Sequence, residues 1–304
     1  MNAWGPQQNR WIMNTKTFPD MVVYSAPTTP IDAHDQFDPG AFREHLTWLK
    51  QAGLDGAIVC GSTGEFAALD DNERIAAFEV ALDVFGPQGT IAHIGAATLR
   101  SALRILDAAR AIGVQRVAAI TPYYQPSGPA SVREYYARLA ERLGGDVFAY
   151  LFESRTATVV TPEQLADIAR EAPLRGVKVS GEPAATVLAF KAAFPEGGQV
   201  LSGNDATIEE VILNGVDGAV AGISSAFPTP FVILRDALRR GDLEAAHAAQ
   251  LVINQAIDAT NGNPRLLKLA LDLRGMRGGA TRSALDEPTP QQVAALRAAV
   301  TAIP

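Results

Sequence analysis

Arg116-Val117-Ala118-Ala119-Ile120, Val147-Phe148-Ala149-Tyr150-Leu151 and Gly176-Val177-Lys178-Val179-Ser180 are short apolar runs, each separated from the next by a helical pattern. Runs this short and this continuously apolar suit parallel strands covered on both faces. The unit recurs in both directions. Toward the N-terminus lie Val22-Val23-Tyr24-Ser25-Ala26, Gly56-Ala57-Ile58-Val59-Cys60 and Thr90-Ile91-Ala92-His93-Ile94. Toward the C-terminus lie Gln199-Val200-Leu201-Ser202 and Gly218-Ala219-Val220-Ala221-Gly222. Helix starts fall between the runs. Asp70 with Glu73, Ser131 with Glu134, and Thr161-Pro162 with Gln164 read as capping boxes, and Asp38-Pro39 as a capped start. Strand and helix repeated eight times predict an α/β fold, a (β/α)8 TIM barrel. An open doubly wound sheet is the alternative. Its glycine-rich phosphate turn is replaced after the first run by Pro27-Thr28-Thr29-Pro30.

The pattern changes near residue 229. Thr229-Pro230 and Thr289-Pro290 mark helix starts, and Gly241-Asp242 and Gly262-Asn263-Pro264 mark breaks. The expected organisation is an N-terminal extension over residues 1–20, a barrel over 21–228, and a helical extension of three or four helices over 229–304. The first residues hold Trp4 and Trp11 without an apolar core, unlike a signal peptide. No stretch approaches the roughly 18 apolar residues of a membrane span. With 47% hydrophobic and 19% charged residues, the composition is that of an ordinary globular protein. A net charge of -7, with no Lys/Arg run interleaved with aromatics, argues against a nucleic-acid partner. One cysteine, Cys60, excludes an intrachain disulfide and a cysteine-based zinc cluster. The four histidines (His34, His45, His93, His247) are scattered, so no metal site is expected. A cytoplasmic enzyme or small-molecule-binding protein is the default class.

In a barrel the chemistry collects at the carboxyl ends of the strands. Gly61-Ser62-Thr63-Gly64-Glu65 follows the second run and Thr121-Pro122-Tyr123-Tyr124 the fourth. Tyr150, then Glu153-Ser154-Arg155, end the fifth; Lys178 lies in the sixth; Ser202-Gly203-Asn204-Asp205 follow the seventh. Lys178 stands out because the chain has only five lysines and relies otherwise on arginine. Burial disfavours an ammonium, and the neutral amine it leaves attacks carbonyls. A strand-end lysine whose head reaches water is the bland alternative. Singly, each of these residues could be a turn, a packing group or a surface charge; together they ring one end of a barrel.

These motifs resemble the pyruvate-dependent class I aldolase family that includes dihydrodipicolinate synthase and N-acetylneuraminate lyase. Gly61-Ser62-Thr63-Gly64-Glu65 is similar to its GxTGE turn, Thr121-Pro122-Tyr123-Tyr124 to its TPYY, and Gly176-Val177-Lys178 to its Schiff-base motif. The resemblance implies that Lys178 forms an imine with a 2-keto acid and that Tyr150 shuttles protons. It implies that Thr63 and Tyr124 connect that phenol to solvent, with Tyr124 supplied across a dimer interface. The working form would then be a homodimer or homotetramer. Ser62 and Thr63 would hold the substrate carboxylate, Arg155 the carboxylate of an aldehyde partner, and Gly203 and Val220 would contact substrate. No cofactor is expected beyond the covalent imine.

Three departures bear on the substrate. Glu153 adds a negative charge where synthases usually carry a neutral Tyr-Asn-x-Pro segment. Ser62 replaces their usual threonine. Ala97, Ser101, Asp70 and Arg74 stand where lysine-inhibited synthases have other polar groups, so lysine feedback is not expected. The expected activity is aldol condensation or retro-aldol cleavage of 2-keto acids. The alternatives are 4-hydroxy-tetrahydrodipicolinate synthase proper, a dehydratase of deoxy-keto sugar acids, and a non-catalytic keto-acid sensor.

Overall fold

Strands form at all eight apolar runs: β1 (Val22–Ser25), β2 (Gly56–Val59), β3 (Thr90–His93), β4 (Arg116–Ile120), β5 (Asp146–Leu151), β6 (Leu174–Val179), β7 (Gln199–Ser202) and β8 (Gly218–Ala221). In the computed structural model, which describes residues 17–304, they pair in parallel in chain order. β8 returns to β1 through the register Val22↔Gly218 to Ser25↔Ala221, closing a barrel and excluding the open sheet. Of the N-terminal extension expected over residues 1–20, the part up to residue 16 lies outside the described residues.

The period of two along each strand sorts the side chains. Tyr24, Ile58, Ile91, Ala118, Phe148, Leu201 and Val220 pack together as one buried cluster inside the barrel. Their strand neighbours, among them Val147, Val177, Val179 and Val200, belong to the larger core beneath the helices. Successive residues of a strand face opposite sides, so Gly176, Lys178 and then Ser180 share the inner face. Gly176 is required where it stands. A Cβ there would lie 2.3 Å from the Gln199 carbonyl oxygen and 2.9 Å from the Phe148 ring. The bulk at that level of the interior therefore comes from Phe148.

Arg116 closes the amino end of the barrel. Its guanidinium carbon sits 5.6 Å from the Tyr24 ring centroid and 5.3 Å from that of Phe148. It donates to the Tyr24 hydroxyl at 3.1 Å and to the Gln88 carbonyl, with Asp146 3.5 Å away. The carboxyl end is thus the only open mouth available among the described residues.

The capping boxes at Asp70 and Thr161 form as expected, and Asp38 caps its helix by accepting from the Ala41 N–H. Ser131 caps nothing. The helix Pro129–Leu143 begins two residues earlier with Gly128 at its cap. Likewise Thr229 lies inside the helix Pro228–Arg240. In both places a proline comes first, and proline suits the first helical position because its fixed φ fits and its missing N–H would have no partner there. Leu243–Thr260, Pro264–Leu273 and Pro290–Ala302 follow, giving four helices after the last strand.

Phe148→Ala should lower the unfolding free energy by about 3–5 kcal/mol, the usual cost of emptying a fully packed aromatic site. Urea denaturation measures it. A loss under about 1 kcal/mol would show that Phe148 does not carry the interior layer.

Candidate active site

Tyr150 and Lys178 are the penultimate residues of β5 and β6, and the register places them side by side. Both point inward, and both are buried, Tyr150 at 1% and Lys178 at 4% exposure. The Lys178 Nζ lies 4.2 Å from the Tyr150 ring centroid. No carboxylate pairs with it among the described residues, which is costly for a buried ammonium. Such a group is better explained by chemistry than by stability.

The Tyr150 hydroxyl meets the Ser62 hydroxyl at 3.0 Å. Behind Tyr150, the His93 ring stands edge-on at 5.7 Å. His93 is held on both sides. Its Nδ1 lies 2.8 Å from the Cys60 carbonyl, and its Nε2 accepts from the Ile120 N–H at 3.2 Å. Burial, reinforced by the charges of Arg74 and Lys178, holds its pKa well below the ordinary value. The ring is therefore neutral, with its proton on Nδ1, and acts as a wall for the phenol. It had looked like one of four scattered histidines, because sequence distance hides the neighbouring strand.

The Ser62-Thr63 turn is bracketed by two non-glycine residues in left-handed backbone, Cys60 (φ 56) and Glu65 (φ 56). The Thr29 hydroxyl donates to the Gly64 carbonyl at 2.9 Å and ties the turn to the segment after β1. Ser62 and Thr63 face different ways. Ser62 reaches Tyr150, whereas the Thr63 hydroxyl lies 3.0 Å from where a Cβ on Gly222 would stand, beyond β8. The expected link from Thr63 to the phenol is therefore made by Ser62, because neighbouring residues of the turn diverge.

These groups open into a cavity of about 620 Å3. Lys178, Tyr150, Ser62, Thr63 and Val220 line it, as do Gly203 and Arg155. Gly203 must be small, since a Cβ would fall 1.9 Å from the Ser180 hydroxyl and 3.0 Å from the Lys178 Cε. Arg155 is exposed, its guanidinium carbon 5.7 Å from the Phe152 ring centroid, with no carboxylate partner among the described residues. Tyr124 is not brought to this cavity. It is 87% exposed, in left-handed backbone at φ 76, and it is Tyr123 that lines the wall. Glu153 is exposed in the short helix Glu153–Thr156 and lies outside the lining, so it does not place a charge in the cavity. Its influence falls on Glu182, whose pKa is raised by burial and then by the Glu153 charge.

Four further lining residues bear on the site without an assigned role in the sequence. Ser180 lies two positions after Lys178, and the period of two was the signal that would have placed it on the same inner face. Asp205 accepts from the Ile223 N–H at 2.9 Å through Oδ2, while its Oδ1 is enclosed without a partner. Burial pushes the Asp205 carboxyl up to about 6, against the lowering effects of that hydrogen bond and of Lys178. Ser283 and Leu285 come from the C-terminal part, which strand counting cannot reach.

Residues 21–303 match the sequence model of the dihydrodipicolinate synthetase family. The chain is 28% identical over 281 residues to the 4-hydroxy-tetrahydrodipicolinate synthase of Methanospirillum hungatei, covering 90% of this chain and 96% of that one. A crystal structure of dihydrodipicolinate synthase superimposes with a TM-score of 0.86 at 26% identity, covering 92% of this chain and 98% of that one. That of KD(P)GA from T. tenax does so with a TM-score of 0.82 at 25% identity, covering 92% and 98%. The chain belongs to the dihydrodipicolinate synthetase family, a lyase family.

The Asp205 carboxyl gives a pH signature. Its folded pKa lies above the unfolded value of 3.8, so the folded state binds the extra proton between about pH 4 and 6. The wild type therefore loses stability as pH rises through that window. Asp205→Asn cannot ionise, so its stability relative to wild type should grow by about 2–3 kcal/mol from pH 4 to 7. Urea midpoints across that range test it; a difference that is flat, or that grows toward low pH, would contradict the enclosed carboxyl.

Proposed function

We propose that this member of the dihydrodipicolinate synthetase family is a lysine-imine lyase acting on pyruvate or a larger 2-keto acid. The observation that carries the reading is the buried, unpaired Lys178 amine beside the Tyr150 phenol at the mouth of the barrel. A sensor needs neither a buried amine nor a phenol beside it. In the proposed reaction the Lys178 amine attacks C2 of the keto acid. The carbinolamine loses its hydroxyl as water, leaving an iminium. A C3 proton then leaves to give an enamine, whose C3 bonds to the carbonyl carbon of an aldehyde. Hydrolysis of the imine frees the product and restores the lysine; cleavage is the same path reversed.

Tyr150 carries the protons. Ser62, 3.0 Å away, relays them and orients the phenol. The backbone N–H groups of Ser62 and Thr63, which have no acceptor among the described residues, receive the carboxylate. The covalent imine takes the place of a cofactor. Tyr124 is too exposed to act within its own subunit, and it takes part only if a second copy receives it. The reading therefore takes a dimer or tetramer as the working form, and the cytoplasm as its compartment. Among the described residues no helix is long and apolar enough to cross a membrane.

The Thr63 hydroxyl on the cavity wall favours a partner that brings hydroxyl groups, as a sugar-derived aldehyde does. Ser180 on the same wall adds a second hydroxyl contact. The free Arg155 guanidinium supports a second reading, an aldehyde bearing a carboxylate, for which bidentate geometry is suited. The relative from Methanospirillum hungatei carries a synthase name consistent with that alternative. A screen of aldehydes with pyruvate, including aspartate semialdehyde and hydroxylated aldehydes, separates the two.

Borohydride added with pyruvate should fix an adduct on Lys178, and Lys178→Ala should abolish both adduct and turnover while keeping the fold. Absence of an adduct in the wild type would sink the imine. Tyr150→Phe should lower kcat roughly 10²–10⁴-fold; an unchanged pH–rate profile in that variant would remove Tyr150 from proton transfer.

A further inference from the structure

One wall of the cavity belongs to the C-terminal part, through Pro264, Ser283 and Leu285. Its tie to the barrel is an ion pair that the proposed chemistry does not use. Glu65 ends the Ser62-Thr63 turn, and Lys268 lies in the helix Pro264–Leu273. Their side chains are 3% and 2% exposed, and Lys268 Nζ donates to Glu65 Oε1 at 2.6 Å. The other carboxylate oxygen accepts from the backbone N–H groups of Arg282, at 3.1 Å, and Ser283, at 2.8 Å. Lys268 also donates to the Ala280 carbonyl. Arg282 secures the same segment from outside, donating to both oxygens of Glu73 at 2.7 and 2.8 Å and to Asp35 at 2.8 Å.

Stability alone does not explain this arrangement. Desolvating two charges costs several kcal/mol per ion, and a well-packed apolar pair is often as stable. The geometry supplies another reason. Glu65 sits at φ 56, a conformation that costs a non-glycine residue roughly 1–2 kcal/mol and persists only if its surroundings hold it. Its N–H donates to the Ser62 carbonyl at 3.1 Å, closing the turn that presents the Ser62 hydroxyl to Tyr150. Three donors on one carboxylate thus fix the Glu65 end of the turn.

We infer that Glu65 and Lys268 are positioning residues: their buried ion pair holds the Gly61–Glu65 turn against the 280–283 segment and so sets the Ser62 hydroxyl and the turn's amides in place. The inference rests on the imine reading above. It makes the C-terminal helices part of the active site rather than an appendage to it.

The test compares wild type, Glu65→Gln and the double variant Glu65→Gln/Lys268→Met, which leaves no buried charge unpaired. Three quantities are measured: the urea midpoint, the pyruvate concentration that half-saturates borohydride trapping on Lys178, and amide exchange over residues 61–66. Glu65→Gln should lower the midpoint. The double variant should regain most of it, yet need roughly tenfold to hundredfold more pyruvate, as misplacement of about 1 Å can cost, with faster exchange over 61–66. A folded double variant with wild-type half-saturation and exchange overturns the inference. If the double variant fails to fold, Lys268→Met, in which Glu65 keeps its two amide donors, carries the same comparison. If the wild type itself is not trapped, the imine reading has failed instead, and exchange over 61–66 alone decides the positioning role, unchanged exchange overturning it.

Discussion

The pairing of Tyr150 with Lys178 in the β5–β6 register is the constraint from which the site follows. A parallel ladder fixes which residues are neighbours, and the period of two fixes which face they take. A slip of one residue would turn Lys178 outward among the apolar side chains beneath the helices, where Val177 and Val179 now pack. Closure of the barrel then turns that local pairing into a cavity. Arg116 and the Phe148 layer fill the amino end, so space remains only where the strand ends carry polar groups.

What completes the site is held by less regular means. The Ser62-Thr63 turn is bracketed by two left-handed residues that are not glycine, and its end is fixed by a buried ion pair and two backbone donors. Such conformations persist at functional sites because the surrounding structure determines them. The Thr29 hydroxyl holds the turn from the β1 side and Lys268 holds it from the C-terminal helices. Lys178 and Tyr150 stand on strands, and the groups proposed to grip substrate stand on a turn locked by two distant parts of the chain.

Much of this was legible in the sequence because barrel periodicity is local. Eight apolar runs gave eight strands, and Lys178, Tyr150, Ser62, Thr63, Arg155, Gly203 and Val220 all line one cavity. Where the reading failed, the cause was geometry that spacing does not encode. Thr63 and Ser62 exchange places against the phenol because adjacent turn residues diverge. Ser131 lost its cap to a proline two residues earlier. The partnership of Glu65 with Lys268 spans 203 positions and joins two segments that the sequence presents as separate units.

The central claim is a covalent bond between one lysine and one carbonyl carbon. The most direct measurement is a crystal structure of the protein soaked with pyruvate and without reductant. The account predicts continuous density from Lys178 Nζ to C2, with the carboxylate on the Ser62-Thr63 amides and Tyr150 hydroxyl within hydrogen-bond reach of the adduct. Pyruvate lying unbonded in the cavity, or bonded to another residue, would contradict it.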